Sequence, residues 1–204
     1  MYAHFKVGLG ELSKLIKVSS LGLLVIITLM GFHYYTAQSN TEGPEQPIVF
    51  SHKIHAGENQ IPCQYCHLYV TKSTTAGIPS LQKCMGCHNQ VVGRDVDYKF
   101  DGKTINIQKE IQKLKTYWEK SQVEGVSKIQ WIRVHSLPEF VHFTHKRHIL
   151  FGLDCSACHG DVKNMDVVYR VNKLEMGWCI GCHEANAKNM EQLTLLKDCA
   201  TCHY

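Results

Sequence analysis

The chain has 204 residues, 44% of them hydrophobic and 20% charged, with 22 Lys and Arg set against 18 Asp and Glu. That suffices for one folded domain plus an appendage, and the ordinary apolar content excludes a globally disordered chain. A formal charge of +4 is too small to point to a nucleic-acid partner.

Residues 1–40 form a separate segment. From Val18 to Phe32 the sequence reads VSSLGLLVIITLMGF, and counting from Leu15 to Tyr35 gives the roughly twenty residues a helix needs to cross a bilayer. Lys6, Lys14 and Lys17 precede the run and Glu42 and Glu45 follow it, so the N-terminus is expected in the cytoplasm and the remainder outside. Tyr35-Thr36-Ala37 is a poor small-x-small cleavage site, which favours a retained anchor over a cleaved signal. His33 sits among tyrosines at the outer end, where an interfacial role outweighs one as a proton acceptor in lipid.

Residues 41–204 carry all the chemistry. The ten cysteines fall only as Cys63/Cys66, Cys84/Cys87, Cys155/Cys158, Cys179/Cys182 and Cys199/Cys202. Each pair is followed at once by a histidine: His67, His88, His159, His183 and His203. A zinc finger places its histidines as a separate spaced pair, and a disulfide framework has no use for them. Five CxxCH motifs that consume every cysteine predict five covalently attached haem c groups, the cysteines forming thioethers and the histidines ligating iron. Haem propionates and iron then alter the charge balance. The holoprotein is expected near neutral when oxidised and about five charges more negative when reduced.

The domain is written twice. Residues 48–90 contain FSHKIH, CQYCH and CMGCH; residues 140–185 contain FTHKRH, CSACH and CIGCH. This register predicts a duplicated two-haem module, with a fifth site appended at 199–203. Histidines at i and i+3 on a helical turn project from one side. They cannot both reach an iron that already has its own CxxCH histidine, so each FxHxxH is expected to serve two haems. His52 and His145 would cap the haem attached just after them, and His55 and His148 would reach a neighbouring one. Five irons need ten axial ligands, and nine are now named. For the tenth, His135 in the extended stretch WIRVHSLP is preferred over His142, with Met85, Met165, Met176, Met190 or an open position as alternatives. Between the modules, Ile107, Ile111, Leu114 and Trp118 at helical spacing predict a surface helix with lysines opposite. The expected fold is mostly α and irregular: a multihaem cytochrome c with the haem stack as its core and one N-terminal transmembrane helix.

The single span, the FxHxxH pairs, CQYCH, CIGCH and the WxRVHxLP stretch together resemble the pentahaem cytochrome c subunit of alternative complex III, a bacterial quinol-oxidising respiratory or photosynthetic assembly. The resemblance implies an electron relay in the bacterial cytoplasmic membrane, with the haem domain on the periplasmic side. It also implies polytopic membrane subunits with quinol sites, an iron–sulfur subunit, and a monohaem cytochrome c subunit or soluble cytochrome c. As second axial ligands it implies His52, His55, His135, His145 and His148. No catalytic residue is expected, because two imidazoles on one iron exclude a substrate. The rivals are a free-standing NapC-like quinol dehydrogenase and a multihaem reductase enzyme.

Overall fold

The computed structural model describes residues 9–38, 43–124 and 128–204. The chain divides between residues 41 and 42 into two units. The first holds one helix, α1 (Leu9–Gln38), whose stretch Ile16–Tyr34 is long and apolar enough to cross a membrane. Its polar side chains suit lipid. The hydroxyl of Ser19 donates to the Ile16 carbonyl, that of Ser20 to Lys17, and that of Thr28 to Leu24 and Val25, at 2.8–3.0 Å. Hydroxyls bonded within their own helix leave no donor for the bilayer to satisfy. The consecutive residues Leu23, Leu24, Val25 and Ile26 are all exposed within this unit, so apolar surface runs around the helix rather than along one stripe.

The second unit alternates short helices with long connections. A π-helical turn (Lys53–Glu58) leads to α2 (Cys63–Cys66) and α3 (Leu81–His88). A hairpin follows, of β1 (Asp97–Phe100) and β2 (Lys103–Asn106), paired antiparallel with Asp97 opposite Asn106. Its two-residue turn is Asp101-Gly102, both at positive φ (46° and 76°), the primed geometry whose twist suits a tight hairpin. Next come α4 (Ile107–Glu124), α5 (His145–Leu150), α6 (Ser156–His159), a 3₁₀ turn (Val162–Asn164), α7 (Met176–Asn186), α8 (Met190–Lys197) and α9 (Cys199–Cys202).

Helix α4 is the expected central helix, and it starts where Asn106 accepts from the Lys109 amide at 3.1 Å, an N-cap bond. Its Leu114 joins Ile48 and Met85 in a small core flanked by Leu81, Tyr117, Trp118, Ile129 and Trp131. Ile107 and Ile111 face another way and crowd Gly93, which has φ +76° and no room for a side chain. That core is modest. Among the described residues only Ile48, Val70, Met85, Phe100, Leu114 and Met165 are buried hydrophobics, and no side chain is wholly enclosed. A domain this long ordinarily closes around one continuous apolar core. Here Tyr65, Leu68, Ile78, Val91, Phe140, Leu150 and Val171, all near CxxCH motifs, lie on the surface instead.

Candidate haem sites

The two FxHxxH turns are built alike. Phe50 stacks on His55 (centroids 4.4 Å apart, planes at 22°) and meets His52 edge-on (4.9 Å, 86°). Phe143 does the same with His148 (4.5 Å, 31°) and His145 (4.9 Å, 88°). One phenyl ring thus fixes both imidazoles of its turn nearly at right angles to each other, which explains why the motif begins with an aromatic. Nδ1 of His55 donates to the Ser51 carbonyl and Nδ1 of His148 to the Thr144 carbonyl, each four residues back, at 2.8 Å.

The turns are anchored differently. Ser51 is buried, donates to Asp166 at 2.7 Å and accepts from the Ile54 amide, while the Lys53 amide donates to Met165. Gly57 packs directly on the Lys163 carbonyl, where a side chain would collide with backbone. These constraints accompany a π-helical first turn, whereas α5 is α-helical. Helix α5 is tied instead to the loop after the first CxxCH: the His145 amide and Nδ1 both donate to Thr74, and the Lys146 amide donates to Ser73.

Each CxxCH opens as a helical turn, so its two thiols lie on one side and the histidine follows the first of them by four residues. Ser80, Asp154 and Asp198 accept backbone amides just before or at the start of three of these turns. None of the ten cysteines is paired in a disulfide. Four of the five CxxCH histidines share a feature that no spacing reveals. Nδ1 of His67 donates to Gly77, of His88 to Val91, of His183 to Leu196 and of His203 to Phe140, at 2.7–3.0 Å. With His55, His145 and His148, seven rings direct Nδ1–H at a backbone carbonyl, leaving Nε2 unprotonated as a ligand atom. Fixing the tautomer through the other ring nitrogen is the usual second-sphere support of a metal-bound histidine.

The rings come in pairs. His55 lies 6.1 Å from His88, His148 6.2 Å from His183, and His145 6.3 Å from His159, centroid to centroid. Two metal–nitrogen bonds of about 2 Å, with the half-width of a ring at each end, span about 6 Å. His52 and His67 are also neighbours. Burial first, then His67 and His55, pull His52 down to about 4; burial, His135, His145 and His67 do the same to His159. Burial likewise lowers His55. These imidazoles are neutral at physiological pH, as ligation requires. Among the described residues no three His, Cys, Asp or Glu side chains converge on one point. Pairs suit an iron whose other four ligands come from a porphyrin.

The tenth ligand is less plain. His135 is half-buried, with its Nε2 3.3 Å from Nδ1 of His159 and the rings T-shaped at 4.4 Å. The ring of His142 stacks on Tyr204 at 4.3 Å, while its amide donates to Cys202. Met85 and Met165 are buried among packing partners; Met176 and Met190 are exposed.

The CxxCH turns, the absence of disulfides among their cysteines and the paired neutral imidazoles fit covalent haem, as does an interior with too little apolar side-chain mass to close on itself. The chain is a mostly helical and irregular multihaem cytochrome c with an N-terminal apolar helix. Residues 141–204 match the family described as cytochrome c7 and related cytochrome c. Over 179 residues, 78% of this chain and 77% of the relative, the sequence is 27% identical to the multiheme cytochrome c subunit of menaquinone reductase from Nitratidesulfovibrio vulgaris.

Proposed function

We propose that this protein is a membrane-anchored pentahaem electron relay within a quinone-linked respiratory complex of the alternative complex III type. The observation that carries the reading is the set of paired imidazoles 6.1–6.3 Å apart, each pair bringing together a CxxCH histidine and an FxHxxH histidine. Haem, when bound, supplies one-electron chemistry as its iron alternates between the ferric and ferrous states. The cysteines Cys63, Cys66, Cys84, Cys87, Cys155, Cys158, Cys179, Cys182, Cys199 and Cys202 hold the five groups. His67, His88, His159, His183 and His203 are the proximal ligands; His52, His55, His145, His148 and His135 are the distal ones. The four pairings leave the His203 iron for His135, so ligation through Nε2 requires it to give up its contact with His159. The spectra of His135→Ala and His142→Ala decide between it and His142, which lies beside Cys202 and Tyr204. Six-coordination is what separates this reading from a reductase, which needs one iron with an open face.

The anchor places the domain on the outer side of the cytoplasmic membrane and holds it beside integral partners that carry the quinone site. The relative from N. vulgaris favours a second direction for the same relay, toward menaquinone rather than away from quinol. Co-purification followed by anaerobic optical titration tests both. Menaquinol added to the oxidised complex should develop ferrous haem bands; if only menaquinone added to the reduced complex bleaches them, the direction is reversed. A lone subunit that oxidises quinol would instead make it a free-standing NapC-like dehydrogenase. Carbon monoxide binding by one haem in five would restore the reductase.

A further inference from the structure

Resting on that relay reading, we infer that the five attachment sites form one unbranched row that departs from sequence order: Cys84/Cys87, Cys63/Cys66, Cys155/Cys158, Cys179/Cys182, Cys199/Cys202. Each of the four junctions stands on a ring pairing or a hydrogen bond, with electrostatic proximity of the attachment cysteines beside it.

At the first junction, Cys66 lies within electrostatic reach of Cys87, and Cys84 within reach of Cys66. The same two sites share the first histidine turn, with His52 beside His67 and His55 beside His88. At the second, the Cys155 thiol meets that of Cys63, and His159 is a neighbour of His67. There the Thr74 carbonyl, in the loop after His67, accepts from both the amide and Nδ1 of His145. This junction joins the two modules. At the third, Cys158 is within reach of Cys179 and Cys182, and α5 spans the two sites with His145 paired to His159 and His148 to His183. At the fourth, Cys179 is within reach of Cys202. Helix α8 bridges that pair: its Leu196 carbonyl accepts from His183, and its Leu195 carbonyl accepts from the Thr201 hydroxyl of α9.

The two modules therefore meet head to head through their first sites. In the row, Cys84/Cys87 and Cys199/Cys202 have one neighbour each and the other three have two. An electron crossing the domain enters at one end and leaves at the other, one iron being oxidised as the next is reduced, with no bond made or broken. The end at Cys84/Cys87 abuts the Ile48–Met85–Leu114 core beneath α4, and the other lies at Tyr204.

Counting magnetic neighbours in the full-length holoprotein tests the order. Loss of a distal histidine converts one ferric haem to high spin, and a fast-relaxing high-spin iron shortens the relaxation of adjacent low-spin signals. In pulsed electron paramagnetic resonance, His55→Ala should shorten one low-spin signal, while His145→Ala and His148→Ala should each shorten two. Two shortened signals in His55→Ala, or one in His145→Ala, would overturn the row while leaving the relay reading intact. If no variant yields a high-spin haem, the ligand reading itself has failed, and the row with it. Should a variant not mature, an experimental density map of the native holoprotein decides. The Cys63/Cys66 iron must have the irons of Cys84/Cys87 and Cys155/Cys158 as its two nearest, and any branch contradicts the order.

Discussion

A histidine that ligates iron has to be neutral and oriented, and is usually backed by a partner at its other nitrogen; these demands fall on different atoms of the sequence. His52 meets the first through burial, which holds it at about 4, and the second through the edge of Phe50. It lacks the third: its Nδ1 is buried with no hydrogen-bond partner among the described residues. His52→Ala should therefore convert one haem to high spin, as should His135→Ala, whereas His142→Ala leaves all low-spin; visible and paramagnetic resonance spectra of ferric protein check this. Phe143→Ala should keep all irons low-spin yet alter the g-values of the haems served by His145 and His148. Its stability loss should fall below the figure of about 3–5 kcal/mol for a fully buried phenylalanine, because Phe143 is half-buried. The cysteines and histidines were legible because covalent haem attachment imposes a fixed local spacing. The phenylalanines were visible only as a repeat without a role, since stacking is a three-dimensional fact. The carbonyl partners were not legible: Thr74 lies 71 residues from His145 and carries no side-chain signature for accepting through its backbone.

At the scale of elements, α4 shows what little the side chains can do alone. Leu114 packs against Ile48 and Met85, while Glu110 accepts from the Val49 amide at 3.2 Å and bridges Lys113 at 2.6 Å. Leu114→Ala should lower the denaturation midpoint by an amount equivalent to about 3 kcal/mol without changing the haem spectra, because it touches packing rather than ligation. The stripe of Ile107, Ile111, Leu114 and Trp118 was readable as a helix. Its division into two faces, one toward Gly93 and one toward Met85, was not, because both faces satisfy the same periodicity. The hairpin at 97–106 carries an Asp-Gly turn signal, but its four-residue strands are too short and too polar to stand out in the sequence. Helix α8 carries no motif; Asn189 caps it by accepting from Gln192, and its place becomes plain only with the His183 bond to Leu196.

For the molecule as a whole, the N-terminal apolar helix and the haem domain differ sharply in the surface they expose. If the apolar stretch is a retained anchor, Lys14 and Lys17 at its N-terminal end predict an inside N-terminus, so protease added to right-side-out cells should cut the haem domain and spare residues 1–14. Cleavage of that N-terminal stretch from outside would reverse the topology. Length, anchor and attachment motifs were open to reading because they depend on composition and short spacings. The row of sites was hidden because the Cys63–Cys155 junction joins residues 92 positions apart, and nothing local marks them as neighbours.

Five porphyrins held by ten cysteines would supply most of the core in a domain with little else to form one. Intact mass of the detergent-purified holoprotein, measured under denaturing conditions so that only covalent groups remain, tests this most directly. A single species heavier than the polypeptide by five haems is the predicted result. A species carrying four or fewer, or a polypeptide that sheds haem on denaturation, would contradict it.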